Sequence, residues 1–197
     1  MANTNAPFGF SQTQGTGSAP TYEQFATFCV YNQSAMYFGD PVSRLAAGGI
    51  APTAPGTQAL AGVFVGCKYL SVSQKRTVWS NYWSGSDVAS GNVVECYVIN
   101  DPNAKFVAQV GGSSSVGLTV ADIGSNVQWA YGTPNTMSGI SGAYIDISVT
   151  PATTATYAFR VVSLVTDPPG SAGTEAGAYN RAIVAFNNVE TKTLTGI

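Results

Sequence analysis

The chain has 197 residues, and only 9% of them are charged, against about 25% in an average soluble domain. Eight Lys and Arg stand against ten Asp and Glu, for a formal net charge of −2, and histidine is absent. That excludes Ser-His-Asp and Cys-His nucleophiles and His-ligated metals, and eight scattered basic residues make no patch for nucleic acid.

Residues 1–21 show no hydrophobic period. Met1 to Asn5 has neither the basic start nor the apolar stretch of a secretory leader, so none is expected. The segment is polar and glycine-rich, with two isolated aromatics, Phe8 and Phe10, behind Pro7. In an extended chain both rings point to one side. That suits two anchors docked on a neighbour, or a tuck against the chain's own core. Tyr22, Phe25, Ala26 and Cys29 stand at helical spacing, with Thr21 as a cap and Gln24 as its partner. The Val, Tyr and Phe content of Phe25–Tyr31 favours a strand instead.

Gly39-Asp40-Pro41 breaks the chain, and Val42 to Leu45 restarts it. Residues 46–58 read as a surface loop, and Leu60 to Tyr69 as a strand whose glycines mark bulges or close backbone approach. Ser71 to Tyr82 alternates and ends in Trp79, Tyr82 and Trp83 before Ser84-Gly85-Ser86-Asp87. Val93–Ile99 is a clear strand stopped by Asn100-Asp101-Pro102-Asn103, and Lys105–Val110 alternates again. Leu118–Gly124 reads as a single turn and a corner. Val127–Tyr131, Tyr144–Ile147, Tyr157–Val165 and Ala182–Val189 are further strands, with Asp167-Pro168-Pro169-Gly170 as a turn. About eight to ten short strands and no long helix predict an all-β chain. The expected form is a single β-sandwich, jelly-roll-like, over residues 22–190. An extended N-terminal arm over 1–21 precedes it, and a C-terminal tail over 191–197 follows.

Cys29, Cys67 and Cys96 lie in apolar contexts without metal-knuckle spacing, so buried free thiols are expected. Ten carboxylates sit mostly in turns, where Asp bonds its own backbone. Glu95, inside an apolar strand, faces outward or pairs with a base such as Arg160. No P-loop or calcium loop is present, and no apolar run reaches the ~20 residues of a membrane helix. No catalysis, cofactor, metal, nucleic acid or membrane partner is therefore expected. Aromatics make up 11% of the chain. A charge-poor, aromatic-rich surface suits either a secreted hydroxyl-rich β-protein or a chain covered by neighbours. Trp79, Tyr82 and Trp83 are candidate interface residues, with sugar stacking as the alternative use.

Several stretches occur in a familiar order: Asn5-Ala6-Pro7-Phe8-Gly9-Phe10, Phe38-Gly39-Asp40-Pro41-Val42 and Leu60 to Gly66. Gly139-Ile140-Ser141-Gly142, Thr153-Thr154-Ala155-Thr156, Leu164-Val165, Ala178-Tyr179-Asn180 and Asn187-Asn188 follow. Together they resemble the capsid decoration, or cement, proteins of tailed bacteriophages, with residues 68–92 departing from the pattern. The resemblance implies a non-enzymatic β-sandwich on the outside of an icosahedral shell, assembled in the host cytoplasm. It implies the major capsid protein as partner and a homo-oligomer, a trimer being favoured over a dimer. Pro7, Phe8, Phe10, Trp79, Tyr82 and Trp83 are then the expected capsid or subunit contacts. The alternative is a carbohydrate-binding β-sandwich, a lectin-like or host-glycan-binding virion module.

Overall fold

The fold, taken from a computed structural model, is described for residues 3–15, 19, 24–56, 59–166 and 177–193. The helix start at Thr21, the turn at Asp167-Pro168-Pro169-Gly170 and residues 194–197 of the tail lie outside these ranges. Strands β1 (Ser11–Gln14), β2 (Phe25–Val30), β3 (Pro41–Arg44), β4 (Ile50–Pro52), β5 (Gly62–Leu70) and β6 (Thr77–Ser80) come first. They are followed by β7 (Val93–Ile99), β8 (Lys105–Gly111), β9 (Asn126–Tyr131), β10 (Ala143–Asp146), β11 (Phe159–Leu164) and β12 (Arg181–Phe186). The one turn of helix among the described residues, Val120–Asp122, is closed by Thr119 and Asp122 bonding each other's backbone and side chains.

The chain is all-β, with two sheets packed against each other. The first has the order β1-β8-β10-β9-β11-β12, and β12 also pairs with β8, so its pairings run round into a ring. The second has the order β2-β7-β5-β3-β4, with β6 added on β5. β2 to β7 all lie in the second sheet and β8 to β12 all in the first. Apart from β1, the chain thus fills the second sheet before the first, whereas a jelly roll alternates between its sheets.

Two strands are not visible as alternation. β4 lies in the stretch read as a surface loop, yet Ile50 and Ala51 are buried and the strand pairs beside β3. β1 is Ser-Gln-Thr-Gln, held by backbone pairing to β8. Ser71–Tyr82 is shorter than expected: Asp87 accepts from Ser73 N–H (2.8 Å) and Ser71 Oγ–H (2.6 Å), folding residues 71–76 into a turn before β6.

Two hydrophobic clusters form, and β5 is shared between them. Val63 and Val65 face the first cluster, with Phe106, Trp129, Phe159 and Phe186 inside the first sheet's ring. Phe64 and Cys67 face the second, with Met36, Trp83, Val94, Cys96 and Val98. The pairing of β5 with β7 slips between Phe64 and Gly66, leaving Val65 as the extra residue of a bulge.

The N-terminal segment is not a free arm. Phe10 is 1% exposed and stacks on Phe159 with ring centroids 4.3 Å apart. Phe10 N–H donates to Gly39 O (2.9 Å), and Gly9 N–H to Ala143 O (3.1 Å). Gly9 has φ +76°, and a Cβ there would lie 2.8 Å from the Cβ of Ser141. Only glycine lets the chain dive into the seam at that point. The tuck against the chain's own core is therefore the arrangement found, and Phe10 is a core residue rather than an external anchor.

Candidate functional site

One face of β7 is half covered. Along it, Ile99 packs into the first cluster beside Val63, and the residues before it on that face, Tyr97, Glu95 and Val93, pass from half-buried to exposed. The register places them in rows. Val30 lies opposite Val93; Phe28 lies opposite Glu95, then Lys68, then Trp79; Ala26 lies opposite Tyr97 and Gly66. Leu70 lies on the same face, opposite Thr77. Trp79 is 67% exposed, Leu70 57% and Val93 56%, with Phe28 and Val30 also exposed. The other face of the same strands carries Cys29, Val94, Cys96 and Val98 into the second cluster. Strict alternation thus delivers apolar side chains to both faces, and only one face is filled.

The bare face carries its own compensated charge. Lys68 Nζ lies 2.7 Å from Glu95 Oε2, and Tyr97 O–H donates to Glu95 Oε1 (2.6 Å). The Lys68 bond, then the Tyr97 bond, hold the Glu95 carboxyl below its ordinary range. Lys68 also stands 5.0 Å from the centroid of the Trp79 ring, and Trp79 lies parallel to Tyr97 at 5.8 Å. An open groove of about 470 Å³ runs beside these rings, lined also by Gln24, Gly66, Ser80 and Asn81.

The chain matches no family model, no curated protein and no solved structure.

The expected contact residues are not brought together. Trp79 is on the bare face. Trp83 is 0% exposed: its ring meets Tyr69 edge-on at 5.2 Å, and its Nε1–H donates to Gln33 O (3.0 Å). Tyr82 is half-buried, stacked on Tyr37 at 5.8 Å. Pro7 and Phe8 are half-buried on the first sheet, where the Arg181 guanidinium sits 5.4 Å over the Phe8 ring. Phe10 and Trp83 are buried in the two clusters, and Trp79, Tyr82 and Trp83 do not share one exposed platform. Phe28, Val30, Leu70, Val93 and Tyr97 were the residues missed. Their signal is Val-Val-Glu-Cys-Tyr-Val, apolar at both parities, which reads equally as a strand buried on both faces.

The chemically reactive types are accounted for by structure. All three cysteines are free and buried, with Cys67 opposite Cys96 across β5 and β7. Burial pushes the Cys67 thiol up to about 12, and a hydrogen bond with Cys29 together with burial raises Cys96. Both stay thiols rather than nucleophilic thiolates. Among the described residues, no group of three or more His, Cys, Asp or Glu is placed to hold a metal ion. Asp87, Asp101, Asp122 and Asp146 hold turns. Glu190 pairs with Arg44 through two bonds of 2.6 and 2.9 Å, and Glu95 pairs with Lys68 rather than Arg160. Glu23, Asp167 and Glu175 lie outside the described residues.

Proposed function

We propose that the chain is a structural virion protein that binds the outer surface of an icosahedral capsid and cements neighbouring major-capsid subunits. The bare half of the second sheet is its docking face. The observation that carries this is two adjacent rows on one sheet face, with Val30, Val93 and Leu70 exposed in one and Phe28 and Trp79 exposed on either side of Glu95 and Lys68 in the other. Folded monomers seldom leave such a face open, and interface cores are depleted in charge and rich in aromatics. The Lys68–Glu95 pair is compensated before docking, so a partner need bring no countercharge. The order of short motifs that resembles that of decoration proteins supports the same role. A homo-oligomer, a trimer before a dimer, multiplies a modest affinity per copy through effective concentration. The partner is then the major capsid protein, met after assembly in the host cytoplasm. Turnover plays no part in this role.

Co-sedimentation with undecorated shells tests it. Trp79→Ser combined with Leu70→Ser removes two exposed side chains and should leave the unfolding midpoint nearly unchanged. Attachment should weaken at least about tenfold, an equivalent of about 1.4 kcal/mol per site. Attachment at full strength in that variant rules the face out.

A carbohydrate-binding role is the second reading. It finds one flat pair of rings, Trp79 and Tyr97, rather than the three-ring platform its chemistry asked for. Loss of binding to a glycan array on Trp79→Ser, with shell attachment intact, would favour it.

A further inference from the structure

The first sheet carries a second concavity that the docking face does not use. β8 pairs with β1 along Lys105 to Val107, and with β10 only at Val110 and Gly111. A fork opens between the N-terminal segment and β10. In it lies a groove of about 420 Å³, lined among others by Asn5, Gln109, Ser113, Thr133, Tyr144 and Tyr179. Among the described residues, none that lines it is Asp, Glu, Lys or Arg.

The walls are tied in place. Gln109 is buried; its Nε2–H groups donate to Thr4 O (2.8 Å) and Tyr179 O (3.1 Å), and its Oε1 accepts from Ala6 N–H (2.8 Å). That one carboxamide joins the N-terminal segment to the chain entering β12. Tyr179 has φ +57°, a left-handed backbone that bulky residues rarely adopt. Its neighbour Asn180 is fixed on both sides: the side chain bonds Leu118 N–H (3.2 Å) and Leu118 O (2.7 Å), and Asn180 O accepts from Val110 N–H (2.8 Å). Held strain at the wall of a concavity is the pattern found where backbone geometry serves a ligand. Across the groove, the Tyr144 ring lies over Gly111, where a Cβ would come within 2.6 Å of it.

We propose that this fork is a binding site for a neutral saccharide of one or two hexose units. The described lining offers nothing to compensate a phosphate, a metal ion or a charged peptide. It offers what a polyol needs: the Asn5 carboxamide and the Ser113, Ser114 and Thr133 hydroxyls, which both donate and accept, and two tyrosine rings with apolar faces and polar tips. The volume falls within the range of small-ligand sites.

The test titrates the full chain with neutral disaccharides of glucose, galactose, mannose and N-acetylglucosamine, read by calorimetry or NMR. At least one binds with a Kd of about 10 mM or tighter. Tyr179→Gly suits the positive φ, so the unfolding midpoint holds or rises while one wall is lost. Affinity for the binding disaccharide then falls about tenfold, and Thr133→Val lowers it by a smaller factor. Shell attachment is unchanged in both variants, which separates this site from the docking face. The proposal is overturned if none of the four disaccharides binds at that level, if Tyr179→Gly leaves the affinity intact, or if Tyr179→Gly also removes shell attachment. Loss of disaccharide binding on Trp79→Ser overturns it too, since the site is then the Trp79 groove.

Discussion

Asp40 sits where the two sheets and the N-terminal segment meet. Its Oδ2 accepts from Tyr37 N–H (2.7 Å), and its Oδ1 accepts from Ser141 Oγ–H. Ser141 Oγ in turn accepts from Ala143 N–H (2.8 Å). The backbone around it crosses the seam: Phe38 N–H donates to Gly139 O, Ser141 N–H to Phe38 O and Phe64 N–H to Asp40 O. Burial raises the Asp40 carboxyl to about 6, and the Ser141 and Tyr37 bonds offset only part of that. The folded chain therefore holds this proton more tightly than the unfolded one does, from about pH 4 to about pH 6. Asp40's contribution is greatest below pH 4 and declines as pH rises through 6. The difference is on the order of 2–3 kcal/mol. Urea unfolding at pH 4.5 and 7.5 should show part of that fall, and Asp40→Asn should remove it. An Asp40→Asn profile as steep as the parent's sinks the assignment.

At the scale of elements, Phe10 and β1 decide what the N-terminal segment is for. Phe10 fills the first cluster against Phe159, and β1 covers the edge of β8. Removing residues 1–15 therefore opens a cavity, bares that edge and strips Gln109 of Ala6 and Thr4. Phe10→Ala alone should cost about 3–5 kcal/mol in urea unfolding. The truncated chain should melt well below the intact one, and a midpoint within a few degrees would show the segment to be dispensable. Which elements were legible follows from the same forces. β5, β7 and β8 announce themselves because apolar alternation and bounding turns coincide, as at Val93–Ile99 before Asn100-Asp101-Pro102. β1 and β4 stay hidden because backbone pairing, not side-chain pattern, makes them strands. The exposed face of β7 was half legible. Trp79 and Trp83 lie four residues apart with similar surroundings in sequence, and only the packing of Met36 and Tyr69 decides which one is buried.

At the scale of the molecule, β5 couples the two clusters. Losing either one strips a face of the same strand, so neither sheet has an independent reason to persist alone. Trp129 reports on the first cluster and Trp83 on the second. In a Trp79→Phe background, variants keeping only Trp83 or only Trp129 should each show one fluorescence transition. Its midpoint should coincide with that of circular dichroism recorded on the same variant. Fluorescence and circular dichroism midpoints that part within either variant would mean two folding units.

The pairing of β1 with β8 spans 91 positions between Gln14 and Lys105. A ribosome adding about 5–20 residues per second makes β1 some 5–20 s before its partner strand exists. Throughout that interval Phe10 has no cavity to enter, because its stacking partner Phe159 is made later still. The segment made first is placed last. Slow translation between β7 and β8 therefore lengthens the time in which a neighbouring nascent copy can accept β1 in place of the chain's own β8.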